Sequence, residues 1–256
     1  VKSKNARVLI TADLDEPDHD PHLDLMLGLL ERERVSLTLF VTNTWKEDFP
    51  GVLDKLEAAR TRGMRVEIAS HSLKHERMSN LSTAEIVSAI AQSLNDFRSQ
   101  GLQVTGFRMP LLCTELRYRE ILQEADRANI GLSYDSSVML EGKFRFSHLY
   151  NMLPVPWKNP QMIGKTWELP ISCMDDWHMF VKYGHSDDFA RRFWMRRLDR
   201  NLGFHGYFLF LLHPFIFWKH MDVLTSLIDC AEERCGFEGF VTCSELVREL
   251  DREGAV

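Results

Sequence analysis

The sequence has no long hydrophobic run. Its richest apolar stretch, Gly206 to Trp218, contains His213 and Pro214 and falls short of the roughly 18 uncharged apolar residues that a membrane span needs. It has no basic excess either. Lys and Arg number 31 against 37 Asp and Glu, a net charge of −6, which argues against a phosphate-rich nucleic-acid partner. The even, regularly spaced cysteines of a disulfide framework are missing. Cys113, Cys173, Cys230, Cys235 and Cys243 are odd in number and scattered, and Cys230 and Cys235 lack the two-residue spacing of a zinc knuckle. They read as small buried hydrophobes in a reducing compartment. No signal peptide is visible, so the cytoplasm is favoured. The start at Val1 leaves open a secreted form from which an upstream segment has been removed. No repeat, low-complexity tract or linker divides the chain, and residues 1–256 read as a single domain.

What is present is an ordinary folding composition, 45% apolar and 27% charged over 256 residues, enough to build a core without staples. Strand-like runs alternate with amphipathic helical stretches. Strands are expected at Arg7–Thr11, Leu37–Thr42, Val66–Ala69, Val104–Phe107, Leu132–Tyr134, Tyr207–Leu212 and Phe240–Thr242. Helices are expected at Asp24–Arg34, at Val52–Arg62 with Gly63 as its stop, and from the capping box Ser82-Thr-Ala-Glu85 to about Gln100. Further helices are expected from about Leu116 to Ala128, at Met221–Arg234 and at Ser244–Leu250. The stretch from about Glu141 to Asp187 reads as loops and short extra strands decorating the domain. Repeated β-then-α units predict a largely parallel sheet, either doubly wound or a barrel.

In both architectures functional side chains gather where strands end. Here the strand ends carry Asp13 and Asp15, His71 and His75, Arg108, Asp135, and His213. In Ser70-His71-Ser72-Leu73-Lys74-His75, histidines at i and i+4 lie on one face of a helical turn and can reach one divalent metal. The ordinary alternative is two unrelated surface histidines. No glutamate follows His71, which excludes the zinc-protease form of the spacing. Thr11-Ala-Asp13-Leu-Asp15 offers two carboxylates, one to bind metal and one to deprotonate water, or else an acidic loop capping the next helix. His213 is either a core histidine bonded to backbone or a general acid. Arg108, if it faces inward, must pair with a carboxylate. Asp175-Asp176-Trp177 is a solvated loop, a helix cap, or the source of a carboxylate that orients a catalytic histidine. Trp177, Phe180 and Trp218 are candidates for stacking on a ring, with core packing as the alternative.

Taken in order, these segments resemble the polysaccharide deacetylases, the carbohydrate esterase family 4 or NodB-homology group. The resemblance rests on Thr11-Ala-Asp13-Leu-Asp15, His71-Ser-Leu-Lys-His75, Phe107-Arg108-Met-Pro110, Tyr134-Asp135-Ser136-Ser137 and Leu212-His213-Pro214, and runs from Val8 to about Thr242. It implies a distorted (β/α)7 barrel of the NodB-homology type and one divalent metal ion, zinc above others. By position it implies Asp15, His71 and His75 as ligands, Asp13 as general base paired with Arg108, and His213 as the acid that protonates the leaving amine. Asp175 or Asp176 would tune that histidine, with Trp177 and Pro110 at the substrate. Two departures stand out. The aspartates are separated by Leu14, which leaves base and ligand exchangeable between Asp13 and Asp15. Leu111-Leu112 follows the arginine motif and implies a reshaped groove. The implied activity is metal-dependent hydrolysis of an acylamido group on an amino sugar or related small molecule. The alternatives are a non-carbohydrate C–N amidohydrolase on the same fold, a deformylase or an allantoinase-like enzyme, and an inactive binding module. The expected partner is a small-molecule or saccharide substrate, with a homo-oligomer left open.

Overall fold

The computed structural model describes residues 6–14, 20–48, 51–112, 117–139 and 159–254. Eight strands form one sheet: β1 (Arg7–Leu14), β2 (Leu37–Val41), β3 (Val66–Ser70), β4 (Gly106–Phe107), β5 (Tyr134–Asp135), β6 (Gln161–Ile163), β7 (Thr166–Glu168) and β8 (Tyr207–Leu212). Their order is β6-β7-β5-β4-β3-β2-β1-β8. All neighbours pair in parallel except β6 and β7, which form an antiparallel hairpin. The helices α1 (Asp20–Arg32), α2 (Val52–Thr61), α3 (Thr83–Ser99), α4 (Arg117–Arg127), α5 (Asp187–His205), α6 (Met221–Cys235) and α7 (Cys243–Gly254) are threaded between and after the strands. None is long and apolar enough to cross a membrane.

The sheet curls. Beyond β7 the chain stays beside the β5 segment, with Leu169 N–H donating to Asp135 O at 2.8 Å and Ile171 N–H to Val138 O at 2.8 Å. Ser172 N–H then reaches Leu209 O on β8 at 3.0 Å. The two ends of the parallel sheet thus meet through a single backbone bond instead of a full ladder, and the barrel is a distorted one with a seam between β7 and β8. The stretch expected to be decoration therefore contains a barrel strand, β7, too short for its pattern to register in the sequence.

Alternation along the strands assigns each side chain to a layer. Val8, Ile10, Ala12 and Leu14 of β1 pack in the large cluster beneath the helices, as do Phe208, Phe210 and Leu212 of β8. Leu9 of β1, Phe40 of β2, Ala69 of β3, and Leu209 and Leu211 of β8 pack together in the interior. Both faces are buried, so β1 and β8 read as almost continuous apolar runs. The interior layer is closed at the end where the strands begin. Val241, just before α7, and Cys243, Leu246 and Val247 at its start enter it. Glu67 there accepts hydrogen bonds from Thr38 Oγ1 (3.1 Å), Tyr134 Oη (2.6 Å) and Ser244 N–H (2.9 Å).

Local signals mostly hold. Ser82 and Glu85 form both bonds of the capping box at the head of α3. Phe240 makes only an isolated bridge to Val8, so the last expected strand is a single contact. Helix α5 has no counterpart in the sequence reading. Its buried apolar positions, Ala190, Trp194, Leu198 and Leu202, form a stripe one residue wide among arginines. The four described cysteines are free thiols, and Cys113 lies outside the described residues.

Candidate active site

Continuing the interior parity of Leu9 past Thr11 brings Asp13 to the mouth of the barrel, beside the ends of β3, β4 and β8. Arg108, fully buried just after β4, organises this end. Its Nη1 donates to Asp13 Oδ1 at 2.7 Å and its Nη2 to Thr11 Oγ1 at 2.9 Å. Its Nε donates to Ser136 O at 3.0 Å and its Nη2 also to Ser136 Oγ at 2.9 Å. The guanidinium carbon lies 3.9 Å from the centre of the Phe40 ring. A buried arginine pairs with a carboxylate, as the sequence reading required.

His71 follows β3 directly. Its Nδ1 is 2.9 Å from Arg108 O, a carbonyl that can only accept, so Nδ1 carries the proton and Nε2 presents a lone pair. That Nε2 lies 3.7 Å from Asp13 Oδ2. The His71 and His75 rings are 5.2 Å apart between centres. They do not meet on a helical turn, as the spacing predicts. The chain between them is a turn in which Ser72 and His75 have φ of 72° and 56°, left-handed values that non-glycine residues seldom adopt. Glu76 clamps the turn, its Oε2 accepting from Ser72 Oγ at 2.9 Å and Lys74 N–H at 2.8 Å. Burial works against ionisation of Glu76, but these donors outweigh it and hold the carboxyl below the usual range.

His213, just after β8, is gripped twice by the buried Asp176. Oδ2 accepts the His213 backbone N–H at 2.7 Å and Oδ1 faces Nδ1 at 2.6 Å. Of the two neighbouring aspartates, then, Asp176 orients His213. Burial pushes its carboxyl above the ordinary aspartate value, against the pull of His213. Asp175 turns to His178, with Oδ1 taking both the backbone N–H and Nδ1 at 2.7 Å each. Although burial opposes it, the bond to His178 keeps the Asp175 carboxyl below its ordinary value. His178 escaped the sequence reading, and the signal available was its place three residues after Asp175.

These groups border one cavity of about 350 Å³. Its lining includes the polar Asp13, His71, His75, His178 and His213 and the apolar Leu111, Leu112, Trp177 and Phe215. Leu111 and Leu112 have φ of 61° and 56°, so the wall after the arginine motif is strained. Pro110 is buried and is not among the described lining residues. Phe180 and Trp218 are not among them either. Phe180 stacks on His220 at 3.6 Å, and Trp218 stacks on His22 at 4.9 Å. A larger groove of about 830 Å³ lies where the strands begin, bordered by Glu31, Arg34, Arg62 and Arg65, and holds none of the strand-end residues.

As metal donors, His71 and His75 offer two adjacent imidazoles, one with its tautomer fixed by a backbone carbonyl, the usual support for a ligating histidine. No set of three His, Cys, Asp or Glu side chains converges among the described residues. Asp15, the expected third ligand, lies outside them. A carboxylate and two imidazoles make a donor set suited to zinc.

No curated protein matches the chain in sequence. Solved structures do match in fold. A polysaccharide deacetylase-like protein from Mycobacterium smegmatis is 19% identical, with a TM-score of 0.72 over 98% of this chain and 92% of that one. A second such protein, from Pseudomonas aeruginosa PAO1, is 14% identical, with a TM-score of 0.66 over 97% and 92%. The Puue allantoinase is 14% identical, with a TM-score of 0.65 over 95% and 90%. The sequence model of the polysaccharide deacetylases matches residues 1–130, which carry the Asp13, His71–His75 and Arg108 motifs. With half its length matched in this way, the chain belongs to the polysaccharide deacetylase family.

Proposed function

We propose that this protein is a metal-dependent hydrolase that removes an acyl group from the nitrogen of an amino sugar or a related small molecule. The observation that carries the reading is one pocket bordered by three prepared groups: Asp13 held by Arg108, the His71–His75 pair, and His213 held by Asp176. Family membership supports hydrolysis of an amide. Asp15, His71 and His75 would hold the metal. When bound, a divalent ion such as zinc supplies Lewis acidity and makes water a nucleophile near neutral pH.

The chain's own groups divide the proton work. Asp13 Oδ1 is occupied by Arg108, which leaves Oδ2 to take the proton of the attacking water. Arg108 keeps that carboxylate oriented and charge-compensated. Nδ1 of His213 faces Asp176, so Nε2 is the atom that delivers a proton to the departing nitrogen. Leu111, Leu112 and Phe215 give the cavity apolar lining.

A cavity of about 350 Å³ is near the lower end of small-molecule sites, which favours a compact substrate over a polymer lying in an open groove. The same feature favours the second reading, opening of a cyclic ureide, the chemistry named for the allantoinase of like fold. Metal analysis with a substrate screen tests both. His71→Ala should abolish stoichiometric metal, and Asp13→Asn should retain metal while losing nearly all turnover. Metal content unchanged by His71→Ala would refute the proposal, and loss of metal from Asp13→Asn would exchange the roles of Asp13 and Asp15. Release of acetate from small N-acetyl sugars selects the first reading, and turnover of a cyclic ureide alone selects the second.

A further inference from the structure

Helix α5 carries a second pattern on the side turned away from the barrel. Phe189, Arg192, Phe193, Arg196, Arg197 and Arg200 fall at the i, i+3, i+4, i+7, i+8 and i+11 spacing of one helix face, away from its buried stripe. Together they border a trough of about 460 Å³. Phe189, Arg192, Arg196 and Arg200 are exposed. Phe204, at i+8 from Arg196, shares the face. It is 80% exposed, more than any other large apolar side chain among the described residues. The exposed apolar surface continues before the helix. His185 stacks on Phe189 at 4.1 Å, and Val181 and Tyr183, in and just after the π-helix Trp177–Lys182, are exposed.

The positive charge on this face is not answered by the acidic residues of α5, which all bind elsewhere. Asp187 Oδ1 meets His220 Nδ1 at 2.7 Å, Asp188 Oδ1 meets Arg191 Nη1 at 3.1 Å, and Asp199 Oδ1 meets Arg234 Nε at 2.8 Å. Arg192 and Arg196 make no ion pair or hydrogen bond with a described residue. A guanidinium keeps its charge throughout the pH range in which proteins fold. The Arg197 guanidinium carbon lies 5.1 Å from the centre of the Phe193 ring, so arginine and phenylalanine interleave. A chain of net charge −6 thus presents one face of arginine and phenylalanine.

Few partners fit such a face. Two copies set face to face would bring Arg192 and Arg196 against their own counterparts, and like charges across a contact are unfavourable. A soluble polyanion would match the arginines and leave Phe204 in water. A bilayer with anionic lipids satisfies both. Its phosphate oxygens accept from the guanidinium fork, and phenylalanine enters the boundary between headgroups and acyl chains. We propose that the outer face of α5 docks on an anionic lipid surface, with Arg192 and Arg196 on headgroup phosphates and Phe204 inserted beside them. The helix lies along the bilayer and does not cross it.

The test is co-sedimentation with vesicles of equal parts phosphatidylserine and phosphatidylcholine, against vesicles of phosphatidylcholine alone. The protein should favour the anionic vesicles and leave them when salt is raised to about 0.5 M. Arg192→Glu with Arg196→Glu should weaken partition about tenfold or more, while Arg192→Lys with Arg196→Lys keeps most of it. Phe204→Ser should weaken it about tenfold and reads the contact independently of charge. All these side chains are exposed, so the thermal midpoint should stay unchanged. Equal partition into the two kinds of vesicle overturns the proposal, as does partition that survives the double reversal or Phe204→Ser. Binding to poly-aspartate or transfer RNA with no vesicle association also overturns it and assigns the face to a soluble polyanion.

Discussion

Arg108→Met removes the guanidinium while keeping much of the side-chain volume. Four hydrogen bonds go with it: two to Ser136, one to Thr11 and one to Asp13. What remains is Asp13, 3% exposed, with its nearest compensating charge gone. At 2.7 Å and an effective dielectric constant of about 20, the gross attraction of the pair is about 6 kcal/mol. Desolvation of both ions offsets much of that, and truncating one partner of a buried pair costs about 3–5 kcal/mol. The free energy of unfolding of Arg108→Met should fall by that amount, measured as a lower denaturant midpoint at unchanged slope. Adding Asp13→Asn removes the stranded charge, so the double variant should regain about 2 kcal/mol or more, the coupling expected of residues in direct contact. Arg108→Lys should fall between, because it keeps the charge but cannot reproduce the fork that spans Asp13, Thr11 and Ser136. A loss below about 1 kcal/mol for Arg108→Met, or a double variant no more stable than the single one, would refute the view of Asp13 and Arg108 as a mutually compensating buried pair.

Three further outcomes follow from the same structure. Gly106→Ala places a Cβ 2.0 Å from the Tyr134 ring, whose hydroxyl is fixed by Glu67, so it should cost about 1–3 kcal/mol or more in thermal unfolding, and a neutral effect would mean the interior is looser than it looks. Burial raises the Asp135 carboxyl from 3.8 to about 6, so between those values the folded chain binds more protons than the unfolded one. Its stabilising contribution is complete below 3.8 and is lost as pH rises through about 6, an effect of about 3 kcal/mol. Asp135→Asn should flatten that dependence, and parallel stability profiles for the two proteins would contradict it. His213→Gln should lower kcat by about 10²–10⁴ with little change in KM, and Asp176→Asn by about 10–100-fold. A raised KM with unchanged kcat in both would assign the pair to binding.

The sequence carried the strand-end residues because alternation in a doubly buried strand is strict. Asp13 lies near the end of β1, His71, Arg108 and His213 each directly follow a strand, and all four meet at one mouth. It could not choose between Asp175 and Asp176, since adjacent residues in an irregular segment carry no period, and the choice depends on which one faces the end of β8. His178 sits on a π-turn, which has no period in the sequence, so its spacing from Asp175 was the one signal. The histidine pair was legible in spacing but not in conformation. A helical face was expected, and two left-handed residues braced by Glu76 produce the same proximity. Helix α5 was missed because arginines surround its narrow apolar stripe.

The closed base of the barrel governs traffic as well as stability. Leu9, Tyr207, Val241, Cys243 and Leu246 fill the interior below the strand-end residues, and Glu67 ties Thr38, Tyr134 and Ser244 across it. Among the described residues, then, that end offers no rear exit through the barrel axis. Under the proposed hydrolysis, both halves of a cleaved amide would leave by the opening through which the next substrate arrives. The half retained longer, by whatever contacts it keeps, then paces turnover and competes directly with incoming substrate.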